Sequence, residues 1–217
     1  MQQQKRARAQ FITFEGGDGA GKTTLIEKIY YYLVQEGLRV LQTRAPGGTF
    51  IGAEIRQLLL AKQKTPMFAR CELFLFLADR AQHVDECIRP ALEKQHIVLC
   101  DRYNDSTLAY QGSARGFDTS WLRKLLDFAC DDLDPDLTIY LDLDPEVGFA
   151  RTVKQRGRKD RIESEDLLFH KKIRNAFRQI ARKEPRRFFM IDATLPPEKV
   201  FERAKKKIDE LLGITRQ

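Results

Sequence analysis

Eight consecutive residues, Gly16-Gly17-Asp18-Gly19-Ala20-Gly21-Lys22-Thr23, fit the pattern G-x-x-x-x-G-K-[ST]. Glycines let successive backbone N–H groups converge on phosphate oxygens, and a helix N-terminus behind them adds positive potential. The lysine of such a loop reaches the β- and γ-phosphates, and the hydroxyl after it ligates Mg²⁺. The spacing therefore predicts a nucleoside-triphosphate site, with residues 16–23 and Thr24 around ATP, Lys22 on its phosphates and Thr23 on Mg²⁺. A turn that merely starts a helix has no use for Lys-Thr at its end. Asp101 follows the apolar run Ile97-Val98-Leu99-Cys100. A carboxylate at that edge can hold the Mg²⁺ shell, usually through water.

Such a loop works only between a strand and a helix. Phe11-Ile12-Thr13-Phe14 reads as the strand before it. Residues 22–36 read as the helix after it, with Leu25, Ile29 and Leu33 on one face and Gly37 as terminator. Strand signals recur at 38–41, 97–100, 137–141 and 188–191. Helical signals fall at 68–95, 121–126, 164–183 and 197–212, with a further start at Asp144-Pro145. Pro90 must kink the first of these or open a fresh helix. The alternation predicts an α/β fold, a five-stranded parallel sheet with helices on both faces, in which ligands bind beyond the carboxyl ends of the strands. One domain is expected over 1–217, with a basic lid at about 151–163 and a tail at 1–9.

The remaining motifs concern the phosphoryl acceptor. Thr43-Arg44-Ala45-Pro46-Gly47-Gly48-Thr49 follows the second strand, and Asp101-Arg102-Tyr103 the third, continuing to Ser106, Thr107, Tyr110 and Gln111. Two arginines at adjacent strand ends can clamp one phosphate dianion. Phe76 and Arg80, in Glu72–His83, stand four residues apart and share one helix face, as suits a base that is stacked and hydrogen-bonded at its edge. Core packing is the competing reading for Phe76, and Phe74 is expected in the core.

Together with Pro135-Asp136-Leu137 and Asp160-Arg161-Ile162-Glu163, this ordered set resembles the thymidylate kinases, which convert dTMP to dTDP, from about residue 10 to 192. The resemblance implies that Phe76 stacks on thymine and Arg80 bonds its O4. It implies that Arg44 and Arg102 hold the 5′-phosphate and that Asp18 lies near the 3′-hydroxyl. Thr107 would contact the base, Tyr110 would lie under the sugar, and Ser106 and Gln111 would line the same site. It implies a homodimer. The family usually has Glu where this chain has Ala45, and some relatives carry Arg where it has Gly19. Relatives with glycine there tend to carry lid arginines, which points to Arg151 on the ATP side and Arg156 among the catalytic groups with Lys22, Arg102 and Asp18.

Charge and composition agree. Residues 151–187 hold 14 Lys or Arg and 5 Asp or Glu, a balance of +9 against +7 for the whole chain. Lid arginines explain that excess more simply than nucleic acid does, because 151–161 contains no aromatic for base stacking. A kinase for a nucleoside or another pyrimidine nucleotide is the other alternative, but Ala45 fills the spot where a base for a 5′-hydroxyl is wanted. The longest apolar run is Leu73–Ala78, far short of the roughly 20 residues that span a bilayer. The polar, basic N-terminus and four cysteines outside any C-x-x-C pair predict a cytoplasmic protein with free thiols packed in its interior.

Overall fold

The computed structural model describes residues 9–62, 64–156 and 160–214, with side chains throughout these except at 153–156. Five parallel strands form one sheet: β1 (Gln10–Gly16), β2 (Val40–Arg44), β3 (Ile97–Asp101), β4 (Leu137–Asp142) and β5 (Phe188–Asp192). Their order is β2-β3-β1-β4-β5. The connection after β1 leaves toward β2, whereas that after its neighbour β3 leaves the opposite way toward β4, so the loop after β1 sits at the switch point, where such sheets bind ligands. β1, β3 and β4 are buried nearly throughout, as strands covered on both faces must be.

On one face lie α1 (Lys22–Gln35) and α9 (Pro197–Leu212), packing Leu25, Ile29 and Leu33 with Ala204 and Ile208 over Ile12, Phe14 and Ile139. On the other, α6 (Thr119–Cys130) and α8 (Leu167–Lys183) bury Leu122, Leu126, Ile173 and Phe177. Tyr140 of β4 stacks on Phe177 at 4.9 Å between ring centroids. Asp118 caps α6, accepting from Trp121 N at 2.7 Å, and Asp166 caps α8 in the same way. α7 (Pro145–Arg156) starts at the Asp144-Pro145 signal, and Gly213 ends α9 with φ +66°.

Three features depart from the sequence reading. β2 runs two to three residues later than 38–41, with Val40 opposite Ile97. α2 (Phe50–Leu60) occupies a stretch to which the sequence reading assigns no element. Gly52 weakens its signal, and is there because a Cβ would stand 2.5 Å from Asp79 Oδ1. The stretch 68–95 is α3 (Ala69–His83), a π-helical turn (Val84–Ile88) and the short α4 (Arg89–Glu93). That turn absorbs the ladder donor that Pro90 lacks.

Phe74 is not core: it is 61% exposed. Phe68, Cys71, Phe74 and Ala78 recur at helical spacing on the outward side of α3. The cysteines are free, but only Cys100 and Cys130 are buried, and Cys71 is exposed. Among the described residues no helix is long and apolar enough to cross a membrane.

Candidate active site

A cavity of about 520 Å³ opens at the carboxyl ends of β1, β2 and β3. Its donor side is the loop between β1 and α1. Gly19 and Gly21 have φ of +74° and +92°, a region that glycine enters without steric cost. Gly19 also lies against Gly148 of α7, whose carbonyl oxygen would stand 2.4 Å from an added Cβ. The absence of a side chain at 19 thus lets α7 rest on the loop. Lys22 Nζ donates to the carbonyls of Gly16 (2.9 Å) and Gly17 (3.1 Å) and borders the cavity. Burial, aided by Arg102, lowers its pKa against the pull of Asp101, Asp18 and Glu15.

Thr23, Thr24 and Asp101 line the same cavity. Asp101 Oδ1 is buried with no hydrogen-bond partner among the described residues. An unpartnered carboxylate oxygen on a residue that lines the same cavity as a threonine of the phosphate loop fits a Mg²⁺ shell completed by water and phosphate oxygens. Among the described residues no three His, Cys, Asp or Glu side chains converge to hold a metal without such help.

The acceptor side draws on several segments. α5 (Asn104–Thr107) runs into a π-helical turn (Leu108–Ala114), and together they bring Ser106, Thr107, Tyr110 and Gln111 to the cavity wall. Arg102, at φ +72°, donates to Asp18 Oδ1 at 3.1 Å and Ser106 Oγ at 3.3 Å. Its guanidinium lies 5.2 Å from the Tyr110 ring centroid. Burial works against the charge of Asp18, but Arg102 and Lys22 outweigh it and hold the carboxyl below the usual range. Phe76 and Arg80 line the wall from α3. Arg80 is 3% exposed, its guanidinium 4.1 Å from the Tyr103 ring centroid, and its Nε and NH1 have no partner among the described residues. Arg44 joins from β2. Every residue expected on the acceptor side therefore meets at one cavity.

Sequence reasoning missed four supports of that side. Arg56, on the unrecognised α2, lines the cavity and donates to Pro46 O at 2.8 Å. Glu15, buried under the cavity, accepts from Tyr103 N (2.8 Å), Ser106 N (3.2 Å) and Ser106 Oγ (2.6 Å). Burial pushes its carboxyl up to about 7 against the pull of Arg102. Asp79 accepts from Gly47 N at 2.8 Å. His83 Nε2 meets Thr43 Oγ1 at 2.7 Å, and burial with the nearby Arg80 charge pushes its pKa down to about 3, so the ring stays neutral. His83 at helical spacing from Arg80, and Asp79 at helical spacing from Phe76, were the available signals for the last two.

The basic stretch also needs correction. Arg161 is an anchor and not a free lid arginine: its Nε donates to Leu59 O at 2.8 Å and its NH2 pairs with Glu72 at 2.6 Å. Arg174 and Arg178 pair with Asp142, and Arg187 with Asp105. Much of the local excess thus neutralises carboxylates elsewhere in the fold. Arg151 donates to Ala193 O at 3.2 Å and, at a long 3.4 Å, to Gly19 O, bridging the phosphate loop and the end of β5 outside the main cavity. Arg156 ends α7 with its side chain outside those described, as are residues 157–159 of the lid.

The family model "Thymidylate kinase" matches residues 14–204. The chain belongs to the thymidylate kinase family. It is 45% identical over 210 residues to the thymidylate kinase of Protochlamydia amoebophila, covering 94% of this chain and 93% of that one. To that of Magnetococcus marinus it is 49% identical over 193 residues, covering 89% and 92%. The crystal structure of thymidylate kinase from Ehrlichia chaffeensis superposes with a TM-score of 0.75 at 33% identity, covering 93% of this chain and 99% of that one. The family's fold and its ATP-dependent phosphotransfer thus agree with a phosphate loop facing an acceptor cavity across one sheet end.

Proposed function

We infer that the chain transfers the γ-phosphoryl group of ATP to the 5′-phosphate of dTMP, giving ADP and dTDP. The observation that carries this reading is one cavity that joins a phosphate loop to an aromatic wall, Phe76, beside the unpartnered buried donors of Arg80. Arg44, Arg56 and Arg102 hold the acceptor phosphate. Phe76 stacks on the base, Arg80 bonds its O4, and Ser106, Thr107 and Gln111 complete the pocket around Tyr110 and Asp18. The acceptor is a dianion above its second pKa of ~6, so its oxygen needs no general base. A bond forms from that oxygen to the γ-phosphorus as the bond to the β–γ bridging oxygen breaks. The protein's task is to align two polyanions and neutralise charge as the group moves. Lys22 and Arg102 do so from the described residues, and Arg156 from the lid, while Arg151 supports the ATP side. Thr23 and Asp101 would hold Mg²⁺, which when bound neutralises charge on the phosphates.

Turnover measured in parallel with dTMP, dUMP, thymidine and single-stranded DNA tests the reading. dTDP formed in step with ADP is the expected result. Phosphorylation of thymidine but not dTMP, or DNA-stimulated hydrolysis with no phosphorylated nucleotide, overturns it.

We also infer that two copies meet across α2, α3 and α6, which pack side by side. Phe50, Phe68, Phe74 and Phe128 stand exposed on these helices or at their ends, and large exposed apolar side chains on neighbouring helices mark a contact surface. Phe74→Glu should halve the mass seen by light scattering. We place the work in the cytoplasm, where four free thiols stay reduced.

A further inference from the structure

Glu72 stands one turn before Phe76 and two before Arg80 on α3, and is 1% exposed. Its carboxylate accepts three hydrogen bonds and pairs with a further cation, Arg161. Gln111 Nε2 (3.1 Å) and Arg115 Nε (3.0 Å) reach Oε1, while Arg115 NH2 (3.1 Å) and Arg161 NH2 (2.6 Å) reach Oε2. Burial opposes its charge, but Arg115 and Arg161 overcome this and hold the carboxyl below its ordinary range.

An ionised carboxylate only accepts. Gln111 must therefore turn its NH₂ toward Glu72, and its carbonyl Oε1 is left for the cavity that Gln111 lines. A side-chain amide is nearly symmetric in shape, so nothing steric distinguishes its two orientations. Here the flipped form would set a carbonyl against a carboxylate and lose a buried charge-assisted bond.

Arg80 offers the cavity donors alone, and Gln111 so oriented offers an acceptor. A pyrimidine ring lying on Phe76 between them meets a donor at one edge atom and an acceptor at the next. A 4-oxo ring with N3–H is the complement of that pair. A 4-amino ring with a bare N3 has the opposite polarity at both atoms, leaving two buried groups unpaired.

We propose that Glu72 is a positioning residue for base selection: by fixing the Gln111 amide, it makes the acceptor site choose a 4-oxo pyrimidine monophosphate over its 4-amino counterpart. This rests on the reading that the cavity takes a pyrimidine monophosphate.

The test compares kcat/KM for dTMP and 5-methyl-dCMP, which differ only at C4 and N3. It uses wild type, Glu72→Gln, Gln111→Met and the double variant. Glu72→Gln can both donate and accept, so the Gln111 amide is freed to turn. The dTMP preference should fall at least tenfold, through KM for the nucleoside monophosphate, with KM for ATP within about twofold. In the Gln111→Met background the same substitution should leave the preference unchanged. Equal losses on both substrates overturn the proposal and leave Glu72 an anchor for two arginines. If Glu72→Gln does not fold, Glu72→Asp keeps the charge but withdraws it by one methylene. A several-fold fall in preference then supports the proposal, and an unchanged preference overturns it. A wild type that makes no dTDP fails the functional reading itself; one that makes dTDP with a preference indifferent to Glu72 fails only this proposal.

Discussion

The donor and acceptor halves of the cavity are held in place by different physics. The donor loop is one contiguous segment whose shape comes from backbone conformation: positive φ at Gly19 and Gly21, and a Gly19–Gly148 approach that leaves no room for a side chain. The acceptor half is assembled from β2, α2, α3 and the segment after β3, and buried carboxylates pin it. Glu15 holds residues 103–106, Glu72 holds Gln111, Asp79 holds Gly47, and Asp105 is itself held by Arg187 at 2.8 Å. A donor loop shaped by backbone conformation tolerates little substitution at its glycines. An acceptor wall built on buried ions depends on each partner remaining in place, because removing one leaves the other uncompensated.

The largest contrast should come from one side chain on each half. Lys22→Ala should lower kcat on the order of a thousandfold while the melting temperature holds, since Lys22 bonds only loop carbonyls and the lost term is charge stabilisation in the transition state. Activity within a few-fold of wild type would remove Lys22 from the chemistry. Arg102→Ala should lower kcat/KM for dTMP about a hundredfold and change ATP affinity less than threefold. Arg102→Gly, which takes φ +72° without strain, controls for the backbone. Equal losses for ATP and dTMP would move Arg102 to the donor half.

The two halves were unequally legible. The donor loop is a local pattern, so its residues and their roles could be read in order. On the acceptor side the residues that touch the cavity were visible, Phe76 with Arg80 by helical spacing and Arg44 with Arg102 by strand ends. The groups that hold them were not. Glu15 reaches Tyr103 and Ser106 only because β1 lies beside β3, and no spacing in the chain records that. Arg56 was lost with α2, whose glycine serves Asp79 and weakens the helical signal. Phe74 was misjudged because α3 is apolar on two faces, one toward the interior and one outward.

A smaller effect separates shape from anchoring at Tyr110. The ring is buried beside Arg102 and meets Phe169 edge-on at 6.2 Å, so it is rigid. A rigid wall under the sugar should reject a ribose 2′-hydroxyl by overlap. Tyr110→Ala should narrow the preference for dTMP over ribothymidine monophosphate about tenfold in kcat/KM, mainly by improving the ribonucleotide. An unchanged ratio with lower activity would make Tyr110 a support and leave Asp18 as the next candidate.

The smallest effect tests whether the acceptor half is the pH-sensitive one. His83 is fully buried against Thr43, and its pKa falls from 6.5 to about 3. Below pH 6.5 the unfolded chain gains a proton on this ring that the folded chain does not take. Stability from His83 is therefore full above pH 6.5 and declines as pH falls toward 3, by up to about 1.4 kcal/mol per pH unit. Glutamine can keep the hydrogen bond to Thr43 without titrating. Urea unfolding at pH 7 and pH 5 should show wild type losing about 2 kcal/mol more than His83→Gln over that interval. Lys22→Ala, on the donor half, should follow the wild-type slope over the same interval. Equal losses in wild type and His83→Gln would mean that the ring protonates in place, and that the β2–α2 loop is not held by a neutral histidine.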